Sequence, residues 1–556
     1  MSTSIIRGKP LSEDAAGALT LGGFLREVCA ANATKEAMVY KLPDGSMQRL
    51  SYAQVWEEAM IVARALVARG VSKDSRVGLM VTNRPEWITA MFGIALTGAT
   101  CVALSTFGKG PELEYQLRVA DVSLLIFERS VLNRDFAKEL IELCPDLGTS
   151  KMPMYSKHLP HLRRAVCIGE APEAGAFESW KEFLHGGPLV SAALIDATSA
   201  EVAPTDRGFI FFSSGSTAKP KAIQHTHRAA ALQCWRWKQF FGVDPDVRTW
   251  SANGFFWSGN FAMAIGATFS AGGCLVLQSH FASGEALWLM QHERVTLPLA
   301  WPHQWPKLVD DPAYATTDLS ALRYVGEISP LRTHPTVNSN WQEPTSAYGS
   351  TETFTLVTVH PNGTPPEIAA GNNGLALPGN IIRVVDPLTG QVVPLGQAGE
   401  IALKGPTLML GYLRVPSEET FDEEGFFRTG DGGFIDAQGR LHWQGRLNDI
   451  IKTGGANVSP LEINAVLMQS PGVKIAATVG VPHDTLGEMV VACIVLDDGA
   501  SLNEQGVKAF AATQLSSYKV PRRVIFINEG DLEMTSSNKI KTAQLRELAS
   551  KRLTAS

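Results

Sequence analysis

The sequence predicts an α/β protein of two unequal domains: a large N-terminal domain of β-sheets packed with helices, and a small α+β domain at the C-terminus. Three observations carry this. The chain has 556 residues, more than one ordinary domain holds. Up to about Pro204 helical and strand patterns alternate, as expected of parallel sheets covered by helices. From about Arg446 the texture changes to two β-branched apolar runs, a helix and one further strand, a unit of about 110 residues. The domains are therefore drawn over 1–446 and 447–556.

Ser51 to Arg69 reads as an amphipathic helix, with Val55, Ala59, Val62, Leu66 and Val67 on one side. A strand follows at Arg76 to Val81 and a helix at Trp87 to Leu96. The uncharged stretch Trp87 to Phe107 is interrupted by Thr89, Thr97, Gly98, Thr100 and Ser105, so it reads as that helix giving way to a buried strand at Thr100 to Leu104 and not as a membrane span. Thr249 to Gly284 is broken by Asn253, Gly254, Ser258, Gly259, Asn260 and the pair Gly272-Gly273, and reads as core strand, loop, helix and strand. In the C-terminal unit, strands are expected at Val473 to Val481 and Met489 to Leu496 with a turn at Pro482-His483-Asp484. A helix from Leu502 to Leu515 and a strand from Arg523 to Ile527 complete it.

Hydrophobic residues make up 45% of the chain and charged residues 19%, enough for sizeable cores. Nothing in the net charge of -6 suggests a polyanion partner, so nucleic acid is not expected. Seven cysteines, Cys29, Cys101, Cys144, Cys167, Cys234, Cys274 and Cys493, have neither zinc-finger nor CxxC spacing. That dispersed set fits a reducing compartment, and with no apolar run in Met1 to Pro10 a cytoplasmic location is expected.

Phe209 to Phe212 is an apolar run that ends in Ser213-Ser214-Gly215-Ser216-Thr217-Ala218-Lys219-Pro220-Lys221. Hydroxyls, backbone N–H groups and two lysines in a tight turn after a buried strand make a candidate anion site. It is not a Walker A loop, because GxxxxGK[ST] is absent. Four further motifs follow: Tyr348-Gly349-Ser350-Thr351-Glu352; Phe427-Arg428-Thr429-Gly430-Asp431; Gly445-Arg446-Leu447-Asn448-Asp449 leading into Lys452-Thr453-Gly454-Gly455; and Thr535-Ser536-Ser537-Asn538-Lys539. In this order the series resembles the adenylate-forming superfamily of acyl- and aryl-CoA synthetases, peptide-synthetase adenylation domains and firefly-type luciferases. The resemblance runs from about Leu21 to Lys541 and is nearest in pattern to acyl-CoA synthetases.

The resemblance implies a large domain with a small mobile lid and two half-reactions: a carboxylate attacks ATP to give acyl-AMP, then a thiol takes the acyl group. It implies ATP, Mg²⁺ and coenzyme A as cofactors and a small-molecule carboxylic acid as substrate, and leaves a homodimer open. Ser213, Ser214, Gly215, Ser216, Thr217, Lys219 and Lys221 would cradle the β- and γ-phosphates. Thr351 would bind the α-phosphate and Glu352 would hold Mg²⁺. Tyr348, Gly349, Gly326 and Glu327 would lie beside the nucleotide. Asp431 would accept from the ribose hydroxyls and Arg446 would help hold the nucleotide. Lys539 would bridge the carboxylate and the α-phosphate, stabilising charge in the transition state. Asn448 would be the hinge. Taken singly, Glu352 and Asp431 read as solvated loop carboxylates; it is the constellation that makes them site candidates.

The chain departs from the pattern at Ala218 and Ala222, where glycine is usual, and at Asn538 before the lysine. Alanine fits where φ is negative. Lys541 is the fallback for Lys539. The acid site is expected around Asn253 to Ala267, Val325 to Ser329 and Ser346 to Thr351, with Phe256, Trp257 and Gly259 as substrate contacts. Trp257 stands where the peptide-synthetase domains carry an aspartate for an α-ammonium group, so an apolar acid is expected in place of an amino acid. Phe255, Phe261, Met263 and Ile265 fit either that pocket or plain core, and Glu327 either a substrate contact or solvent. Lys452, Gly454 and Gly455 resemble the lid loop of CoA ligases, where glycine permits close approach of pantetheine. The alternatives are an acyl-AMP ligase that loads a free-standing carrier protein, a non-catalytic binder of the same fold, and a luciferase-type monooxygenase.

Overall fold

The computed structural model describes the chain apart from residues 1–2, 13–15, 109, 214–219, 302–303, 328, 344–345, 361, 448, 450, 454–455, 516–518, 535–539 and 555–556 and the side chains of 456–457. The largest sheet has eight strands. Phe177–Ser179, Arg164–Ile168, Leu124–Glu128, Arg76–Met80, Thr100–Ala103 and Arg207–Phe212 run parallel. Ala222–Thr226 and Gly411–Tyr412 then close the edge antiparallel. A second sheet orders Leu297–Leu299, Arg248–Ser251, Cys274–Leu277, Glu36–Lys41 and Met47–Ser51. Only its last pair is antiparallel.

The main core joins these two sheets. Val77, Leu79, Phe209 and Phe211 from the first and Met38, Leu275 and Leu297 from the second bury against the same helices. The helix Tyr52–Val67 is started by Ser51, whose hydroxyl accepts from Gln54 N–H while the Gln54 side chain answers. The helix Pro85–Leu96 is apolar and buried along its length after Glu86, which is what a helix caught between layers requires. The two cross closely at Gly93, where an added Cβ would stand 2.7 Å from Val62 Cγ1 and 3.0 Å from the Ala59 carbonyl oxygen. A larger side chain there would overpack the contact at a cost of about 1–3 kcal/mol. No helix among the described residues is long and apolar enough to cross a membrane, and Trp87 to Phe107 is resolved into the helix Pro85–Leu96 and the strand Thr100–Ala103.

A third, antiparallel sheet orders Ile5–Arg7, Ile381–Val385, Gly399–Lys404, Phe427–Ile435 and Leu441–Arg446. Beside it Tyr348–Gly349, Leu356–Val359 and Leu375–Ala376 make a small antiparallel sheet. The strands after Ile451 form a separate sheet: Ala456–Val458, Ile451–Thr453, Gly487–Leu496 and Val473–His483, with Arg523–Phe526 alongside Gly487–Leu496. The turn expected at Pro482-His483-Asp484 is displaced, because Pro482 and His483 still pair, with Glu488 and Gly487. Val473–His483 is an edge strand, and a proline that lacks an N–H is tolerated at an edge.

Candidate active site

The loop after Phe212 is pinched at its base. Arg207–Phe212 and Ala222–Thr226 pair as a hairpin, Ser213 N–H donates to Lys221 O at 3.0 Å, and Lys221 N–H donates to Ser213 Oγ at 3.0 Å. Ser214, Gly215, Ser216, Thr217 and Lys219 lie outside the described residues. Ala222 is extended and buried opposite Phe212, a conformation alanine adopts freely, so the missing glycine carries no strain there.

The second motif is a tight turn fixed at several points. Gly349 is obligatory: a Cβ would stand 1.7 Å from the Thr355 carbonyl oxygen. Thr353 is fully buried, and its Oγ1 accepts from Ser350 N–H at 2.9 Å. Thr351 to Thr353 form one 3-10 turn. Glu352 Oε1 accepts from the Tyr412 hydroxyl at 2.9 Å, and Met409 N–H donates to Glu352 O at 2.8 Å. The Lys221 ammonium sits 4.4 Å from the centre of the Tyr412 ring, an attractive placement for a cation. Burial and the Glu352 charge push the Tyr412 phenol far above its ordinary range, so it is a hydrogen-bond donor at every working pH.

Asp431 lies next to this turn, close enough to feel the Glu352 charge. It sits on Phe427–Ile435 directly opposite Arg446. The Tyr348 hydroxyl donates to Asp431 Oδ2 at 2.6 Å. Arg446 Nε is 3.1 Å from Oδ1, without the alignment of a hydrogen bond, and Oδ1 is buried with no hydrogen-bond partner among the described residues. Burial pushes the carboxyl above its ordinary range; Arg446, Tyr348 and Trp443 pull the other way without cancelling it. Trp443 is exposed and its ring centre is 6.5 Å from that of Tyr348. A buried acceptor left open between an arginine and two aromatic rings fits a ribose hydroxyl. Among the described residues no group of three or more His, Cys, Asp or Glu could hold a metal alone. The second Glu352 oxygen, which has no hydrogen bond among the described residues, instead fits the usual Mg²⁺ arrangement of one or two carboxylates plus phosphate oxygens.

The segment expected to receive the acid is held by amides. Asn83 Nδ2 donates to Asn253 O at 2.6 Å and Asn83 Oδ1 accepts from Phe255 N–H at 3.0 Å. Asn260 Nδ2 also donates to Asn253 O, at 2.5 Å. Phe255, Phe261 and Ile265 are core: Phe255 and Phe261 pack on Trp87 with ring centres 5.4 and 6.2 Å away. Phe261–Gly266 is a turn of π-helix, a local widening that often accompanies sites. Trp257 is only partly buried and packs beside Phe256 with ring centres 5.3 Å apart and planes tilted by 47°. A Cβ on Gly259 would meet nothing within 4 Å. Gly326 is buried against Glu343, whose Oε2 lies 2.0 Å from where a Cβ would stand, while Glu327 is exposed.

In the C-terminal part, Lys452 is exposed and its N–H donates to Glu488 Oε2 at 2.7 Å. Asn448, Gly454, Gly455 and Lys539 lie outside the described residues. Lys541 pairs with Glu533 at 3.2 Å. The Ser459 hydroxyl donates to the Gln444 carbonyl and Leu461 lies against Gly445, so this part packs on the strand that carries Arg446. Sequence reasoning missed Tyr412, Trp443 and His225, whose Nε2 meets the Thr351 carbonyl oxygen at 2.7 Å. The available signals were a histidine in the short segment after the phosphate loop and an aromatic three residues before Arg446.

A family model described as AMP-binding enzyme matches residues 25–413, and one described as AMP-binding enzyme C-terminal domain matches residues 462–539. The chain is similar to the medium-chain acyl-CoA ligase ACSF2, mitochondrial, of Rattus norvegicus, 28% identical over 90% of this chain and 83% of that one. It is similar to a methyl-dioxo-octahydroindenyl-propanoyl:CoA ligase of Mycobacterium tuberculosis, 29% identical over 93% of this chain and 98% of that one. The crystal structure of the anthranilate CoA ligase AuaEII in complex with anthranoyl-AMP matches with a TM-score of 0.78 at 26% identity, covering 98% of this chain and 100% of that one.

Proposed function

Because the chain belongs to the AMP-binding enzyme family, we propose that it is an ATP-dependent, AMP-forming ligase that joins an apolar carboxylic acid to coenzyme A. The observation that carries the reading is Asp431, a buried carboxylate with one oxygen held by Tyr348 and the other open beside Arg446. Relatives named for a medium-chain, a fused-ring and an aryl acid support an apolar acid, fatty, alicyclic or aryl. The partly buried Trp257 and the open space at Gly259 support it too.

In the first half-reaction a carboxylate oxygen of the acid attacks the α-phosphorus of ATP. The bond from that phosphorus to the bridging oxygen breaks, and pyrophosphate leaves with the electron pair. Ser213 to Lys221 hold the β- and γ-phosphates, Thr351 the α-phosphate, and Tyr348, Gly349 and Gly326 line the nucleotide. Glu352, turned by Tyr412, offers one oxygen to Mg²⁺, which offsets phosphate charge when bound. Lys539 bridges the two reacting anions. In the second half-reaction the thiol sulfur attacks the acyl carbon, AMP leaves and the thiol proton is released. The lid over 447–556 turns about Asn448 between the two steps, and Lys452, Gly454 and Gly455 then line the approach of pantetheine. All seven cysteines are free and buried, which supports a reducing, cytoplasmic setting. The proposal includes a homodimer, read by sedimentation of the purified chain.

The test is pyrophosphate release against a panel of carboxylic acids, with and without CoA. Release that requires an apolar acid, with acyl-CoA formed when CoA is added, is the expected result. Acyl transfer only to a carrier protein would replace the CoA assignment, and no release with any acid would defeat the ligase reading. Lys539→Ala is expected to slow adenylation by about 10²–10³, as loss of one preorganised charge contact does, and to spare thioester formation from supplied acyl-AMP. Wild-type adenylation in this variant would move the role to Lys541.

A further inference from the structure

The strand Ala222–Thr226 begins where the phosphate loop ends, one residue after Lys221. Its fourth residue, His225, is fully buried, opposite Phe209 in the hairpin register. His225 Nε2 lies 2.7 Å from the Thr351 carbonyl oxygen. A carbonyl only accepts, so Nε2 carries the proton and donates. Nδ1 is buried with no hydrogen-bond partner among the described residues. The ring stands edge-on to Phe354 at 5.0 Å, and to Phe211 at 6.2 Å. Those two residues belong to the far end of the Thr351 turn and to the first strand of the hairpin. Tyr412, which pairs with Ile223 on the same strand, holds Glu352 Oε1. Two neighbouring strands therefore grip two consecutive residues of the turn, one through a backbone carbonyl and one through a carboxylate.

We propose that His225 is a positioning residue that fixes the Thr351–Glu352 turn to the strand closing the phosphate loop, so that the two phosphate-facing elements keep one geometry. The inference rests on the nucleotide reading above. It predicts that the donor matters and not merely the bulk, since a buried carbonyl that loses its donor must shift or stay unsatisfied. The ring is not a proton carrier: burial lowers its pKa to about 4, and it stays neutral through the working range.

The decisive comparison is His225→Gln against His225→Met in the full chain. The two side chains are similar in length and flexibility, and only glutamine has an N–H. Equilibrium binding of a fluorescent ATP analogue and single-turnover adenylation are measured for both, together with thermal melts. H225Q is expected within about threefold of wild type. H225M is expected to bind the analogue more weakly and to adenylate about 10- to 100-fold more slowly, the effect of a small misplacement of reacting groups. The KM for the acid and thioester formation from supplied acyl-AMP should change little. The pH–rate profile of H225Q should keep the wild-type shape. The proposal is overturned if H225Q and H225M behave alike, if neither folds, or if H225Q shifts the acid limb. Should the wild type bind the analogue yet adenylate no acid, the ligase reading fails while the binding comparison still decides the role of His225.

Discussion

At the scale of single residues, the site is a set of side chains each held by a second one. Glu352 is the clearest case, because among the described residues Tyr412 occupies one of its oxygens and leaves the other. Glu352→Gln keeps an oxygen for that hydroxyl but offers a neutral amide to a hard cation. The Mg²⁺ dependence of adenylation should move to higher concentration and the rate should fall, by about tenfold or more, since even outer-shell changes at metal sites cost that much. A titration curve identical to the wild type would remove Glu352 from the site. Tyr348, Glu352, Asp431 and Arg446 were legible as candidates in the sequence because each lies in a short motif whose order is specific. Tyr412 and His225 were not, because strand pairing brings them to Thr351 and Glu352 from distant parts of the chain. Gly349 was legible as a motif letter, but the reason for it, the Thr355 carbonyl, is tertiary, as is the contact of Gly326 with Glu343.

At the scale of elements, the hairpin Arg207–Phe212 and Ala222–Thr226 and the helix that follows it carry an acid-sensitive pair of rings. His227, whose Nδ1 accepts from Leu21 N–H at 3.3 Å, begins the helix His227–Phe241 directly after the hairpin. Burial lowers both His225 and His227 from 6.5 to about 4. Between those values the unfolded chain binds protons that the folded chain does not, so stability rises with pH and is lost as pH falls from 6.5 toward 4. Each ring withdraws about 3 kcal/mol by the lower limit. Asp431 has the opposite sign, since its raised carboxyl makes the charged form a cost above its folded value. Urea midpoints of H225Q should fall less between pH 6.5 and 4 than those of the wild type, since one of the two buried rings is gone. Equal slopes in the two proteins would mean that His225 is not held neutral. The helices and parallel strands of the large domain were legible because their periodicity is local. The pairing of Ile5–Arg7 with Ile381–Val385 and the extension of Val473–His483 through Pro482 were not, because a partner strand and an edge position decide them.

At the scale of the whole molecule, the question is how one site serves two reactions. The sheet that carries Asp431 ends at Arg446, and the next sheet begins at Ile451. The intervening carboxyl of Asp449 is held above its ordinary range by burial, against the pull of Arg546 and Arg446. Arg546 belongs to the terminal helix Thr542–Thr554, so the Asp449 carboxyl is buried within reach of both parts. Asn448, within it, is the residue that must take two backbone conformations if the small domain turns between half-reactions. Proline fixes φ near −65° and removes a donor, so it should favour one lid position over the other. Asn448→Pro is expected to leave pyrophosphate release in single-turnover adenylation largely intact while transfer to CoA falls at least about tenfold, or roughly 1.4 kcal/mol. Two single-turnover assays, one for each half-reaction, make the measurement. Equal loss in both would indicate misfolding of the connection, which a thermal melt would register. No loss in either would place the pivot elsewhere and take away the mechanical basis for a lid that turns at this residue.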